Sequence, residues 1–261
     1  AAAAGSQSAS ASYLYDKFGT YNASIVVSDG TTSTTQSFTV TVTNVAPTIA
    51  AITRKTVAEG TSLAISTTFT DPGANTHTAT INWGDSSTTT LNLAAGARTV
   101  SSSHTWAGNK ADNSDYVVTL SIADGATTSS ITFNVGVSNV APTVTNPGNK
   151  SLNEGSTLSL TVNFSDPGND AHTVTFDWGG SEGTSTVNVA AGAGSKSASS
   201  SHVYKQQGSY AASVTVADGT TSTTVSFTVT VSNVGPTLGD IGTINGTEGA
   251  TFTLPMNIND P

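Results

Sequence analysis

The sequence predicts an all-β chain built from tandem two-sheet β-sandwiches, and three observations lead to this prediction. Hydrophobic and polar residues alternate with a period of two, as between Leu158 and Phe164, where Ser, Thr and Asn fill the outward positions. Pro-Gly, Gly-Gly and Asp-Gly pairs separate the alternating segments, as expected of tight turns. The pattern then repeats at a nearly constant step, and no segment shows the 3.6-residue period of a helix.

The repeat is marked by an Asn-Val-Ala/Gly-Pro-Thr motif that begins at Asn44, Asn139 and Asn233, hence with steps of 95 and 94 residues. This step suits one immunoglobulin-like sandwich of about 100 residues with roughly seven antiparallel strands. The first predicted segment is the C-terminal part of a repeat, two whole repeats follow, and the last is the N-terminal part of another: residues 1–43, 44–138, 139–232 and 233–261. Because partial repeats would expose apolar faces and unpaired strand edges, we expect the native chain to continue at both ends.

Within the repeat at 139–232, the predicted strands follow one another as short alternating runs. The clearest of them lie at residues 158–164, 174–178, 187–189, 210–216 and 225–231. Trp83 and Trp178 end the third strand of their repeats, where we expect a large aromatic side chain to fill the core rather than stack on a ligand. Histidines recur at equivalent positions of the two whole repeats, which indicates a structural role as hydrogen-bonding partners of turns: His77, His104, His172 and His202.

Composition excludes several classes of function. The chain has 8 Lys and Arg against 17 Asp and Glu, so no basic stripe exists to bind nucleic acid. The absence of cysteine excludes disulfides, thiolate zinc sites and cysteine nucleophiles, and it favours a prokaryotic surface protein. No apolar run approaches the roughly 20 residues that span a bilayer, so we expect no membrane span in this segment. Neither a nucleophile elbow nor a metalloprotease or phosphate-binding motif is present, and we expect no enzymatic activity.

Acidic residues recur at three positions of the repeat, in Glu-Gly, Asp-Pro and Asp-Gly pairs. We expect the three positions of one repeat to converge at the end that faces the preceding repeat, where carboxylates would repel one another unless a cation neutralised them. Hard Ca²⁺ prefers such an all-oxygen set. The candidate metal ligands are Glu59, Asp71, Asp124, Glu154, Asp166 and Asp218. In the alternative interpretation, which stays open, each carboxylate only caps the turn in which it lies.

A family resemblance comes from the second half of each repeat. Residues 103–106 and 201–210, followed by the run 213–218, resemble the closing half of a PKD domain, in which His-x-Tyr and Gly-x-Tyr precede an alternating strand that ends in Asp. Residues 82–85, Asn-Trp-Gly-Asp, are similar to the family's aromatic-Gly-Asp-Gly stretch, although Ser86 replaces its second Gly and the next repeat has Gly179 and Gly180 there. The resemblance covers both whole repeats and both partial ones.

The resemblance implies an immunoglobulin-like sandwich of the kind found in bacterial and archaeal surface proteins and in accessory modules of secreted hydrolases. It also implies calcium ligands at comparable positions near the connection between repeats. We therefore expect an extracellular, cell-surface location and a structural or adhesive spacer, of the adhesin-stalk, filament or surface-layer kind, with connections stiffened by Ca²⁺. Expected partners are neighbouring repeats and, by lateral or end-to-end assembly, other copies of the chain. The alternative is an accessory PKD array of a secreted polysaccharide- or protein-degrading hydrolase.

Overall fold

The computed structural model describes residues 5–110 and 114–260, and these residues contain strands and turns but no helix. The ends of the predicted partial repeats, at 1–4 and at Pro261, and three residues of the repeat at 44–138 lie outside the described residues. The chain divides into two compact units. The first comprises Ala1–Val57, Thr61–Trp106 and Lys110–Val137; the second comprises Ala58–Gly60, Ala107–Asn109 and Ser138–Pro261. The boundaries of the four repeats inferred from the motif stay a prediction.

The first unit contains a hairpin followed by two sheets. Its strands are β1 Gly19–Ser28, β2 Ser33–Val42, β3 Thr48–Ile49, β4 Lys55–Ala58, β5 Ser62–Thr70, β6 His77–Asn82, β7 Thr88–Leu93, β8 Thr99–Thr105, β9 Tyr116–Ala123 and β10 Thr128–Ser138. β1 and β2 pair with each other; β3-β5-β8 form a three-stranded sheet and β4-β10-β9-β6-β7 a five-stranded one. A three-stranded and a five-stranded sheet around one core are the two layers of a β-sandwich.

The second unit repeats this architecture. Its strands are β11 Thr143–Val144, β12 Lys150–Asn153, β13 Thr157–Asp166, β14 His172–Asp177, β15 Thr184–Val189, β16 Gly194–Val203, β17 Gly208–Ala217, β18 Ser222–Ser232, β19 Thr237–Leu238 and β20 Ile258–Asn259. The sheets have the orders β11-β13-β16 and β12-β18-β17-β14-β15, with β19-β20 apart. All pairs are antiparallel except β12, which runs parallel to β18. The predicted tandem immunoglobulin-like sandwiches are confirmed, with eight strands per repeat because the first strand is divided between the two sheets.

Each unit encloses its own aromatic core, as the alternation predicts. Trp83, Trp106, Trp178 and Tyr204 have at most 1% of their surface exposed. Their polar atoms are paired inside the unit: the Trp178 indole N–H donates to Ser185 Oγ at 3.0 Å, and the Tyr204 hydroxyl donates to the Trp178 carbonyl at 2.9 Å. A buried indole needs such a partner, so the aromatic residues act as core rather than as a binding platform.

The β1-β2 hairpin shows what the same strands look like when no second sheet of the described residues covers them. Ile25 and Phe38 of the β1-β2 hairpin are 56% and 45% exposed. Val214 and Phe227, at the equivalent positions of β17 and β18, are 0% and 6% exposed. The apolar pattern is therefore the same in both hairpins, and burial depends on the opposite sheet.

Candidate cation site

The loop between β13 and β14 is organised around a buried Asp–His pair. Asp166 Oδ1 accepts a hydrogen bond from the Gly168 N–H at 2.8 Å, and Asp166 Oδ2 lies 2.9 Å from His172 Nε2. Asp71 of the first unit contacts Gly73 and His77 in the same way, at 2.7 and 2.8 Å. An aspartate before Pro-Gly favours this turn because its carboxylate accepts the amide two residues later. His77 and His172 thus have the predicted structural role, and the groups that they contact in the turns are aspartate carboxylates.

Three carboxylates meet at this loop in the second unit. Oxygens of Glu59, Asp166 and Asp170 all lie within 4.8 Å of one another. Glu59 Oε1 accepts the Val140 N–H at 2.7 Å, and Glu59 Oε2 accepts the Asn109 N–H at 3.2 Å. Glu59 is 1% exposed and Asp166 0%. By sequence Glu59 belongs to the repeat at 44–138, yet it lies in the second compact unit together with the other two carboxylates.

Gly168 allows these groups to approach one another. A Cβ atom at this position would overlap the carboxylates of both Asp170 and Glu59. The backbone of the Asp-Pro-Gly turn therefore forms one wall of the carboxylate cluster, and any larger residue would force the carboxylates apart. Here the need for glycine comes from close approach rather than from backbone conformation.

The cluster is electrostatically unfavourable without a counterion. Two unit charges 4.8 Å apart repel by about 3.5 kcal/mol at an effective dielectric constant of 20. Burial, and after it the charge of Asp170, raises the pKa of the Glu59 carboxyl, although the Val140 and Asn109 amides act in the opposite direction. Burial, followed by the charges of Asp166 and Asp218, also raises the pKa of Asp170. Both shifts reflect a site that favours neutralisation of its carboxylates.

Two buried oxygens of this region accept no hydrogen bond from any residue that the structure describes. They are Asp170 Oδ2 and Asn139 Oδ1. The amide nitrogen of Asn139 donates to Asp218 Oδ2 and to Thr221 Oγ1, both at 2.9 Å, which leaves the carbonyl oxygen as the unpaired end of the side chain. A buried acceptor without a donor costs about 1–3 kcal/mol. Carboxylate and amide oxygens are the ligands that Ca²⁺ prefers, so the donor set fits this ion.

Asp124 and Asp218 are surrounded by protein donors. Asp218 Oδ1 accepts the amides of Thr220 and Thr221, at 2.8 and 2.6 Å, and its Oδ2 accepts from Asn139. Asp124 has the same arrangement, and although burial acts to raise it, hydrogen bonds from Thr127, Asn44 and Ala126 lower the pKa of Asp124 to about 2. Turn capping accounts for the hydrogen bonds of Asp124 and Asp218. The role of these two residues as metal ligands stays a prediction.

Glu154 does not join Asp166 and Asp218, so the expected convergence of all three positions of one repeat is wrong for the glutamate. Strand β12 pairs in parallel with the end of β18, up to Asn153 opposite Ser232, and places Glu154 beside that end. Asp218 lies in the turn before β18, at the far end of ten residues of β17, or about 33 Å. Glu154 instead accepts the Val234 N–H at 2.8 Å and lines a cavity with Asp260.

The pairing that the structure shows thus joins the Glu of one repeat to the Asp-Pro of the next. Glu59 meets Asp166, and Glu154 shares a cavity with Asp260. Asp71 has no such glutamate among the described residues of its unit; its loop contacts Asp16, whose carbonyl accepts the Ala74 N–H at 2.7 Å. Within residues 5–110 and 114–260, therefore, Glu59 and Asp166 are the only two of the six candidate ligands that come together in a cluster of three carboxylates.

Asp170 is the member of the cluster that the repeat pattern does not reveal. It is not among the acidic positions that the repeats share, because Asn75 occupies the equivalent position of the repeat at 44–138. The signal that identifies it is local: Asp170 follows Asp166 by four residues in the same short loop, which is close enough for both to face one ion.

A comparison with protein families agrees with the fold. A family model described as PKD domain matches residues 139–232. No curated protein sequence matches the chain. Similar solved structures include an endo-fucoidan hydrolase from glycoside hydrolase family 107, with 17% identity over 82% of this chain and a TM-score of 0.31. An I-band fragment of titin has 11% identity over 82% of this chain and 75% of its own, with a TM-score of 0.40.

The chain spans about a third of the fucoidan hydrolase, 34% of its length, and at 17% identity the likeness says nothing about activity. Titin immunoglobulin tandem domains match at 14% identity, over 71% of this chain and 96% of theirs, with a TM-score of 0.33. Among the residues that the structure describes, no helix is long and apolar enough to cross a membrane.

Proposed function

Because residues 139–232 form a PKD domain and the repeat before them has the same strand order, we propose that the chain is a structural spacer of an extracellular surface protein, with repeats linked by Ca²⁺. Adhesin stalks, filaments and surface layers are the assemblies that such a spacer serves. The anionic, Ser- and Thr-rich composition supports this function because it keeps a long array soluble. Strands of about ten residues give each repeat about 3 nm of length.

The observation that carries the calcium part of the proposal is the cluster of Glu59, Asp166 and Asp170. Its oxygens lie within 4.8 Å of one another, and Asp170 Oδ2 is buried without a donor. Glu59 comes from the repeat at 44–138, whereas Asp166 and Asp170 come from the repeat at 139–232. A cation bound by all three would therefore connect a segment of one repeat with a loop of the next. It would restrict the relative motion of these two segments.

Calcium titration of the 261-residue chain tests the proposal. Isothermal calorimetry should show one site that Glu59→Gln weakens at least about tenfold, since it removes a charged ligand. Glu154→Gln is the matched control, because Glu154 also accepts a backbone amide but forms no cluster of three carboxylates with the other described residues. Small-angle scattering should show a less flexible chain with Ca²⁺ than with chelator. Absence of binding heat together with unchanged scattering would exclude the calcium linkage.

The accessory-array alternative makes a different prediction about the surrounding gene. A spacer of a surface protein should be flanked by further repeats or by an anchor, and an accessory array by a catalytic domain. Determination of the flanking sequence separates the two, and a hydrolase domain on the same chain would replace the first proposal with the second. In either case no catalytic role is assigned to residues of this segment.

A further inference from the structure

A basic side chain contacts the Asp-Pro-Gly loop in both whole repeats. Lys196 of β16 donates from Nζ to the carbonyl oxygens of Asp170, at 3.2 Å, and Ala190, at 2.9 Å. In the first unit Arg98 donates to the carbonyl oxygens of Asp71 and Gly73, both at 2.7 Å. Lysine and arginine side chains have only hydrogen-bond donors, so neither Lys196 nor Arg98 can itself be a ligand of a cation.

Lys196 has one contact that Arg98 lacks. Its Nζ lies 3.4 Å from His172 Nδ1, whereas His77 Nδ1 is buried without a hydrogen-bond partner. An ammonium group can only donate, so in this contact Nδ1 is the acceptor and Nε2 carries the ring proton. That proton then points at Asp166 Oδ2, 2.9 Å away. Lys196 thus contacts the backbone of one carboxylate residue and the imidazole that orients another.

We propose that Lys196 is a positioning residue of the cation site, which holds the carboxylates of Asp170 and Asp166 in place through the Asp170 carbonyl and the His172 ring. The inference rests on the proposed function, because it assumes that the cluster binds Ca²⁺. Partners that orient metal ligands without touching the metal typically contribute 10–100-fold to metal affinity. The same loop contains Gly168, and a glycine gives the backbone additional conformational freedom. The hydrogen bonds of Lys196 restrict that freedom.

The positioning role and the bare charge of Lys196 have opposite effects on affinity. A positive charge near the cluster repels a bound cation, so its removal would strengthen binding if charge alone mattered. Loss of the hydrogen bonds would release the loop and weaken binding. Lys196→Met keeps most of the apolar side chain and removes both the charge and the donors, so the sign of the change in affinity identifies the dominant effect.

Calorimetric calcium titration of the full 261-residue chain tests the inference. Lys196→Met should weaken binding about tenfold, and Lys196→Arg should restore most of the affinity because guanidinium donates to the same kind of loop in the first unit. Arg98→Met is the matched control: it removes the equivalent contact from the first unit and should leave calcium affinity unchanged. Tighter or unchanged binding by Lys196→Met overturns the positioning role.

A double-mutant cycle shows whether Lys196 acts through Asp170. In an Asp170→Asn background, which removes one charged ligand, Lys196→Met should cost at least threefold less affinity than in the wild type. An equal cost in both backgrounds would contradict action through Asp170. If the wild-type chain binds no Ca²⁺, the proposed function itself fails; if it binds and only the Lys196 variants behave otherwise, the inference fails alone. Thermal unfolding in chelator checks that each variant is folded.

Discussion

The two Asp-Pro-Gly loops of the molecule share one framework but differ in charge. In each, a buried aspartate accepts a turn amide and pairs with a histidine at 2.8–2.9 Å: Asp71 in the first unit and Asp166 in the second. The loop of the second unit adds Asp170 where the first has Asn75. It also receives Glu59, so that three carboxylates lie within 4.8 Å.

This difference separates what the fold requires from what a cation requires. The Asp–His pair is present in both loops, and a basic side chain, Arg98 or Lys196, donates to a backbone carbonyl of each, so these shared contacts occur with or without a carboxylate cluster. In the second unit, Asp170 of the loop and Glu59 add two carboxylates to the one that the Asp-Pro-Gly turn already has. Dependence of stability on Ca²⁺ should therefore be confined to the second unit.

Removal of the aspartate that both loops share should have the largest effect on the free energy of unfolding. The effect should be similar in the two units, because both loops have the same Asp–His pair. Asp71→Ala and Asp166→Ala each leave a buried histidine without its acceptor and should lower the free energy of unfolding of their own unit by about 3 kcal/mol in chelator. Hydrogen exchange resolves the two units. A loss below about 1 kcal/mol in either unit would show that its Asp–His pair is not part of the framework.

Exchange of the residues that differ should have a smaller effect of opposite sign in the two units. Asp170→Asn removes one negative charge from the cluster and places an amide donor beside the carboxylates of Glu59 and Asp166, so it should stabilise the second unit by about 1 kcal/mol in chelator. Asn75→Asp introduces a second carboxylate beside Asp71 and should destabilise the first unit. Chemical denaturation with hydrogen exchange measures both. Stabilisation of the first unit by Asn75→Asp would show that like-charge repulsion does not govern these loops.

The sequence predicted the framework better than the site, for a physical reason. Period-two alternation and recurrent turns identify strands, cores and the acidic positions because these features are local and repeated. Which glutamate meets which aspartate depends on the parallel pairing of β12 with β18, a non-local contact that places Glu154 away from Asp218. The repeat pattern does not reveal Asp170, because the other whole repeat has Asn75 at this position and a residue present in one repeat gives no periodic signal.

Acidification should distinguish the two units further. Glu59 and Asp170 have raised pKa values, so in chelator they bind protons more tightly in the folded chain, and the second unit should gain stability as the pH falls from 7 toward about 4.5. That gain is lost as the pH rises through the raised pKa values. The first unit should lack it, because the pKa of Asp124 is lowered to about 2 and its contribution is lost as the pH falls below about 4.

Calorimetry across this pH range, with chelator present, measures the effect. Asp218, whose pKa is lowered despite burial because Asn139 and Thr221 hydrogen-bond to it, should reverse the gain of the second unit below about pH 4. Asp170→Asn is the control, because it removes one of the two raised carboxyls and should reduce the gain. An equal pH response of the two units would contradict the assignment of like-charge repulsion to the second loop alone.

The smallest expected effect lies at a second His–carboxylate contact, away from these loops, where the units should behave alike. His104 Nε2 lies 2.7 Å from Asp85 Oδ2 in the first unit, and His202 Nε2 lies 2.9 Å from Glu182 Oε2 in the second. All four side chains are 17–24% exposed. Partial hydration weakens such contacts, so Asp85→Asn and Glu182→Gln should each cost about 0.5–1 kcal/mol.

Neither substitution should change the response of its unit to Ca²⁺, which thermal unfolding with and without chelator measures. Equal small losses would place the difference between the units in the Asp-Pro-Gly loops, since the pairs at Asp85 and Glu182 occupy equivalent positions in the two sandwiches. A calcium response that disappeared with Glu182→Gln would instead mean that the cation acts on the second sandwich as a whole. The carboxylate cluster would then not be the local origin of that response.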